Sequence, residues 1–180
     1  MVHSLELFLD DDADLRVRSQ WQQLADAGLP HQGQIRSGTN RPHTTLLAAE
    51  YIADSVHAAL PPAAQRLPIA ATLGAAVLFG QGSRVTLARL VVPSSELLST
   101  HSQVTRLAAG HLGDSPHVMP HSAPGHWTPH VTLARRLDPA QLTAALAVLD
   151  LRTEIPGTFV AIRHWNGDEK TEHVLAGRAY

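Results

Sequence analysis

The chain has 180 residues, 44% of them hydrophobic, and a formal net charge of −2. That length suits one domain, or two small lobes sharing a core, and the charge excludes the basic field of a protein that coats long nucleic acid. The absence of cysteine excludes disulfides, thiolate metal sites and cysteine nucleophiles. No run is long and apolar enough to span a bilayer, and Met1-Val2-His3-Ser4 lacks the charged start of a secretory signal, so a soluble cytoplasmic protein is expected. Only Lys170 among the 14 basic residues is not arginine, which suits bidentate phosphate contacts and equally fits a GC-rich genome.

In chain order, Val2 to Leu9 reads as a strand. Asp10 to Asp12 then offer N-cap oxygens to a helix with Leu15, Val17, Trp21, Leu24 and Ala25 at helical spacing, ended by Gly28 and Pro30. His31 to Asn40 is a polar loop leading into a second strand. Ala53 to Leu60 makes a short helix stopped by Pro61-Pro62. Ile69 to Phe79 and Arg84 to Val92 are strands joined by Gly80-Gln81-Gly82-Ser83. Pro93-Ser94 opens a helix whose apolar positions are Leu97, Leu98, Val104, Leu107 and Ala108, with Gly113 as its stop. A loop from Asp114 to Thr128, rich in Pro, His, Ser and Gly, precedes another strand. Asp138-Pro139 is an N-cap and N1 pair for a helix that aligns Leu142, Ala145, Leu146 and Leu149. Thr153 to Trp165 and His173 to Tyr180 form a closing hairpin around Asn166-Gly167-Asp168. No linker separates independent domains, so residues 1–180 are expected to form one domain of two similar lobes meeting at a cleft.

One pattern occurs twice. Pro42-His43-Thr44-Thr45-Leu46 returns as Pro129-His130-Val131-Thr132-Leu133, each within an apolar, β-favouring run. Residues two apart on a strand share a face, so His43 and Thr45 project together, and so do His130 and Thr132. Two such pairs facing each other put two imidazoles and two hydroxyls around one space. A neutral imidazole takes a proton from water while a protonated one gives a proton to a leaving oxygen. Threonine hydroxyls hold non-bridging phosphate oxygens. This chemistry needs no metal and no cofactor, and none is expected. A lone His-x-Thr is most often ordinary strand structure; two copies with matching Pro and Leu flanks point to a site.

These residues resemble the 2H phosphoesterases and, within them, the 2'-5' RNA ligase-like (LigT-like) group, which is defined by two His-x-Thr motifs. Trp127-Thr128-Pro129-His130-Val131-Thr132-Leu133-Ala134-Arg135 is similar to the group's stretch around its second motif. The resemblance implies an α+β bilobal fold with antiparallel sheets, flanking helices and a central cleft. It implies acid–base roles for His43 and His130 and phosphate contacts from Thr45 and Thr132. It further implies RNA 2',3'-cyclic phosphodiesterase activity, with reversible 2'-5' RNA ligase activity as the reverse sense. The partner would be an RNA end or a small nucleotide with a cyclic phosphate or a 2'-5' linkage, bound by a monomer, with no DNA and no membrane. His173, where an aromatic is frequent, and the His-rich loop before the second motif depart from many relatives.

Strand parity adds Arg41, two before His43, and Arg136, six after His130, to the motif face as substrate-binding candidates, and turns Arg135 away. Phe8 and Trp165 suit base stacking or, given their apolar surroundings, core packing. His111, His117, His121, His126 and His130 invite a metal reading, but Trp127 stands where a zincin helix needs Glu and Pro129 breaks that helix. The functional alternatives to a metal-independent phosphodiesterase are a non-catalytic RNA-end or nucleotide-binding module and a metal hydrolase using that loop.

Overall fold

Local sequence signals set most of the element ends in the computed structural model, which describes residues 2–80, 82–114 and 117–177. The strands are β1 (His3–Leu9), β2 (His43–Ala49), β3 (Ile69–Phe79), β4 (Val85–Val91), β5 (His130–Leu137), β6 (Ile155–Asn166) and β7 (Thr171–Ala176). The helices are α1 (Asp11–Asp26), α2 (Val56–Ala59), α3 (Pro61–Ala64), α4 (Ser95–Ala108) and α5 (Pro139–Val148). Asp10 caps α1 by accepting from the Ala13 N–H, and Ser94 caps α4 through Leu97. Asp138 and Gln141 form a reciprocal capping box on α5, with Pro139 in its first turn. Gly28 takes φ +69 just beyond α1, a left-handed turn that favours glycine.

Four expectations change. Pro61-Pro62 does not simply stop a helix; it opens α3, because proline lacks only an N–H that a first turn leaves unused. Leu15, Leu98 and Leu146 lie outside the buried stripes of their helices and are exposed. The segment after Asp114 is not a free loop: Val118 bridges Ala49 on the edge of β2, and Ser122 Oγ accepts from the Ala48 N–H at 3.0 Å. The closing hairpin starts at Ile155 rather than Thr153 and has Thr171 to Ala176 as its second strand. Gln81 and the last three residues of the expected hairpin, 178–180, lie outside the described residues, as do Ser115 and Pro116 of the loop.

All strand pairings are antiparallel, and the two expected sheets are joined into one path, β2-β1-β6-β3-β4-β5, with β7 on β6. Strand β6 makes the join. β1 runs along one edge of it, while β3 and then β7 occupy successive stretches of the other. The path has a motif strand at each end, and those ends, β2 and β5, come back into contact. Helix α1 connects β1 to β2 yet packs on β5 and β6; helix α4 connects β4 to β5 yet packs on β2. Each half thus covers the motif strand of the other.

Leucines dominate the core between sheet and helices, with Leu5, Leu7, Leu46, Leu47 and Leu133 fully buried. Arg89 is a buried cation beneath the β3–β4 half. At 1% exposure it donates to Gln20 Oε1 (2.9 Å) and to the carbonyls of Gly74 (3.0 Å), Thr153 (3.1 Å) and Asp150. Its charge is spread over acceptors that a buried guanidinium requires.

Candidate active site

Both motif strands begin with the same alternation: His43 and Thr45 half-buried, Thr44 and Leu46 buried; His130 and Thr132 half-buried, Val131 and Leu133 buried. The buried set drops into the apolar core and fixes strand rotation, which lifts the other set out of it. The lifted residues meet. His43, Thr45, His130 and Thr132 line one cleft of about 300 Å³, together with Phe79, Thr86, His121, Thr128 and Arg135.

The two histidines are held alike. His43 Nδ1 lies 2.8 Å from the Arg41 carbonyl, and His130 Nδ1 lies 2.8 Å from the Thr128 carbonyl. A carbonyl only accepts, so each Nδ1 carries a hydrogen, and Nε2 is the nitrogen each ring keeps for proton exchange. The threonine backbones are held alike too, each by an indole covering it from the opposite half. Trp127 Nε1 donates to the Thr45 carbonyl (2.8 Å), and Trp21 Nε1 on α1 donates to the Thr132 carbonyl (3.0 Å). Trp127 is itself stacked on His101 of α4, with ring centroids 4.0 Å apart and planes 4° from parallel.

The surroundings then differ. Opposite Thr45 on β1 stands Glu6; opposite Thr132 on β4 stands Ala88. Glu6 Oε1 is 3.7 Å from His43 Nε2. Its carboxylate also accepts from Ser4 Oγ (2.6 Å) and from Nε of Arg163 (2.9 Å), directly across on β6. Burial alone would raise the Glu6 pKa, but His43, Arg163 and the Ser4 hydroxyl together hold it below the usual carboxylate value. Among the described residues, no carboxylate pairs with His130 in this way. Burial pushes its pKa below the ordinary imidazole value, the Thr128 carbonyl opposes that, and His121, Arg135 and His43 add to the lowering. Phe79 covers its ring at 4.4 Å between centroids.

The two arginines expected in the site are placed elsewhere. Arg41 turns toward α1: its Nε is 3.3 Å from Asp14 Oδ2, and its guanidinium lies 4.5 Å over the Phe8 ring. Arg136 is exposed and takes φ +61, and the β4–β5 register slips twice: between Leu87 and Ala88, where the β5 partners are Ala134 and Thr132, and again between Val85 and Leu87. That irregularity breaks strict alternation, so Arg135 rather than Arg136 lines the cleft. Phe8 is buried between Arg41 and Arg163 and packs rather than offering a face to a base. Trp165 is half-buried beside Arg163. Of the loop histidines, His121 reaches the cleft, whereas His111 Nδ1 pairs with Ser55 Oγ at 2.8 Å. Sequence reasoning missed Glu6, Arg163, Phe79 and Thr86. Glu6 carries a signal in retrospect: it is an ionisable residue within an apolar strand, Leu5 to Leu9.

An antiparallel α+β fold whose two end strands each present a His-x-Thr pair to one cleft is the architecture of the two-histidine phosphoesterases. A family model described as the 2'-5' RNA ligase superfamily matches residues 12–171, and the chain belongs to that family. Among solved structures it is similar to LigT of E. coli complexed with 3'-AMP, at 12% identity and TM-score 0.57, covering 97% of this chain and 92% of that one. TT0787 of Thermus thermophilus is similar at 16% identity and TM-score 0.58, covering 97% of this chain and 95% of that one. Usb1 of Kluyveromyces marxianus is similar at 11% identity and TM-score 0.51, covering 97% of each chain. At these identities the likeness is one of fold. No curated protein sequence matches the chain. Among the described residues, no helix is long and apolar enough to cross a membrane.

Proposed function

We propose that the protein hydrolyses a 2',3'-cyclic phosphate, on an RNA end or a small nucleotide, by acid–base catalysis between His43 and His130 without a metal. The observation that carries this reading is the pair of imidazoles in one cleft, each with Nδ1 committed to a carbonyl and each beside a threonine hydroxyl. Family membership supports a phosphodiesterase-type activity, and the 3'-AMP named with the LigT structure supports a nucleotide as the ligand class.

The unequal surroundings divide the roles. His130, whose pKa burial lowers, is the base: its Nε2 lone pair removes a proton from the attacking water. His43, facing the Glu6 carboxylate, is the acid: its Nε2–H protonates the ribose oxygen as the P–O bond breaks. The hydroxyls of Thr45 and Thr132 donate to the non-bridging oxygens, and Arg135 balances the charge that builds on them. One proton enters at His130 and one leaves from His43, so exchange with solvent resets the pair. With a ribose 5' hydroxyl in place of water as the nucleophile, the same two proton transfers would open the cyclic phosphate with loss of its 3' oxygen and leave a 2'-5' linkage. Because His130 stays neutral as pH falls below the ordinary imidazole value of 6.5, the acidic limb of kcat/KM should lie below that value.

The test is hydrolysis of 2',3'-cyclic nucleotides and of a short RNA ending in a cyclic phosphate, with EDTA present. Wild type should turn over, and His43→Ala and His130→Ala should each lose about 10²-fold or more while remaining folded. Undiminished activity in either variant refutes the mechanism; binding without turnover in wild type leaves a nucleotide-binding module.

A further inference from the structure

A second group of imidazoles lies on the opposite face of the sheet and takes no part in this chemistry. Alternation along β6 sends Arg163 toward Glu6 and its neighbour His164 the other way, level with Leu5 on β1 and His173 on β7. Helix α2 brings His57 to the same place: its Nε2 is 2.8 Å from His164 Nδ1. The His57 ring stacks on His173, with centroids 3.9 Å apart and planes 14° from parallel. Asp54, just before α2, places Oδ1 3.8 Å from His164 Nδ1. One donor atom from each of Asp54, His57 and His164 lies within 4.8 Å of the other two.

Structural hydrogen bonding does not account for an imidazole at position 164. The residue is 2% exposed, and among the described residues its Nε2 has no hydrogen-bond partner. If His164 donates to His57, that Nε2 is a buried bare lone pair; if His57 donates, it is a buried N–H with no acceptor. A leucine would fill the space without either cost. What the imidazole adds is Nδ1, aimed at a second imidazole and a carboxylate. Burial, then the neighbouring His57 and His3, hold His164 neutral with a pKa of about 4, and burial and His173 lower that of His57. His3 is otherwise engaged, with Nδ1 at the Ile52 carbonyl (3.2 Å) and Nε2 at Asp168 (3.3 Å).

We propose that Asp54, His57 and His164 form a site for a divalent transition cation of the zinc type, with water completing a tetrahedral set. Two imidazoles and one carboxylate are an ordinary donor set for such an ion. Metal–nitrogen bonds of about 2.0–2.1 Å place two tetrahedral nitrogens roughly 3.3 Å apart, so the His57–His164 contact opens by about half an ångström. The four-residue helix α2 and the exposed Asp54 leave room for that shift. No net proton is released: whichever ring donates in the His57–His164 contact shifts its hydrogen to its other nitrogen, so that His57 carries it on Nδ1 and His164 on Nε2 in the bound state. His173 acts as a positioning residue through its stack on His57. The cation clasps α2 to the β6–β7 hairpin, across the sheet from the phosphate cleft.

The full chain, stripped with EDTA and desalted, is titrated with Co2+ and then Zn2+, reading visible d–d absorption, stoichiometry and the thermal midpoint. One tetrahedral ion per chain is expected at about micromolar concentration, with a raised midpoint. Asp54→Asn and His57→Ala, both on accessible segments, should weaken binding about tenfold or more, while His43→Ala and His130→Ala bind as wild type. Binding that survives the first two substitutions, binding lost in either of the second two, or no ion bound below about millimolar concentration overturns the proposal.

Discussion

Replacing His164 with glutamine should flatten the acid sensitivity of the fold. In the native state burial and the neighbouring imidazoles lower this side chain from the ordinary 6.5 to about 4. The unfolded chain takes up the proton near 6.5 and the folded chain resists it until about 4. Between those values the unfolded state binds more protons, so stability is full above 6.5 and is lost as pH falls through the window. Two and a half pK steps at about 1.4 kcal/mol each give a loss of roughly 3 to 4 kcal/mol, a large part of a small domain's stability. Glutamine has no titrating group and removes this contribution. The assay is urea unfolding of wild type and His164→Gln at several pH values from about 7 to about 4, with EDTA present. The midpoint should fall further with acid in wild type than in the variant, by an amount equivalent to about 3 to 4 kcal/mol. Parallel pH dependences would refute the reasoning, because no other side chain's titration is altered as directly.

Arg135→Ala should lower kcat/KM about tenfold through loss of a charged phosphate contact, whereas Arg136→Ala, on the exposed left-handed residue, should leave it unchanged; a loss in Arg136→Ala with none in Arg135→Ala would mean that regular alternation governs this strand after all. Glu6→Gln keeps the side-chain shape but removes the charge 3.7 Å from His43 Nε2; kcat should fall about tenfold with the fold intact, and an unchanged kcat would take Glu6 out of the reaction. Leu46→Ala and Leu133→Ala, at fully buried positions one after each motif threonine, should each destabilise the fold by about 2–5 kcal/mol in chemical denaturation; losses under about 1 kcal/mol would mean that these leucines do not anchor the motif strands.

The repeated motif was legible because its physics is local. Alternation at His43 to Leu46 and at His130 to Leu133 is written in the chain, and the burial pattern follows it residue by residue. Caps were legible for the same reason: Asp10, Ser94 and Asp138 bond to backbone only three residues away. Glu6 was not legible, because its meaning lies in a pairing with Thr45 on one side and Arg163 on the other, both set by strand register. Arg135 was misread because the register slip between Thr132 and Ala134, which no glycine signals, reverses the parity that regular strands keep. The His57–His164 cluster depended on a short helix crossing to a strand more than a hundred residues later, which no local pattern announces.

The crossed indoles have a consequence for how the chain tolerates change. Trp21 belongs to the helix before the first motif but holds the carbonyl of Thr132; Trp127 belongs to the segment before the second motif but holds that of Thr45. Neither half contains all the parts that steady its own motif threonine. A cut in the β3–β4 turn would therefore yield two fragments that work only when mixed, each supplying the other's clamp. Substitutions that loosen α1 would be felt first at the backbone of Thr132, so the two motifs are bound to a shared fate even though they lie at opposite ends of the strand path.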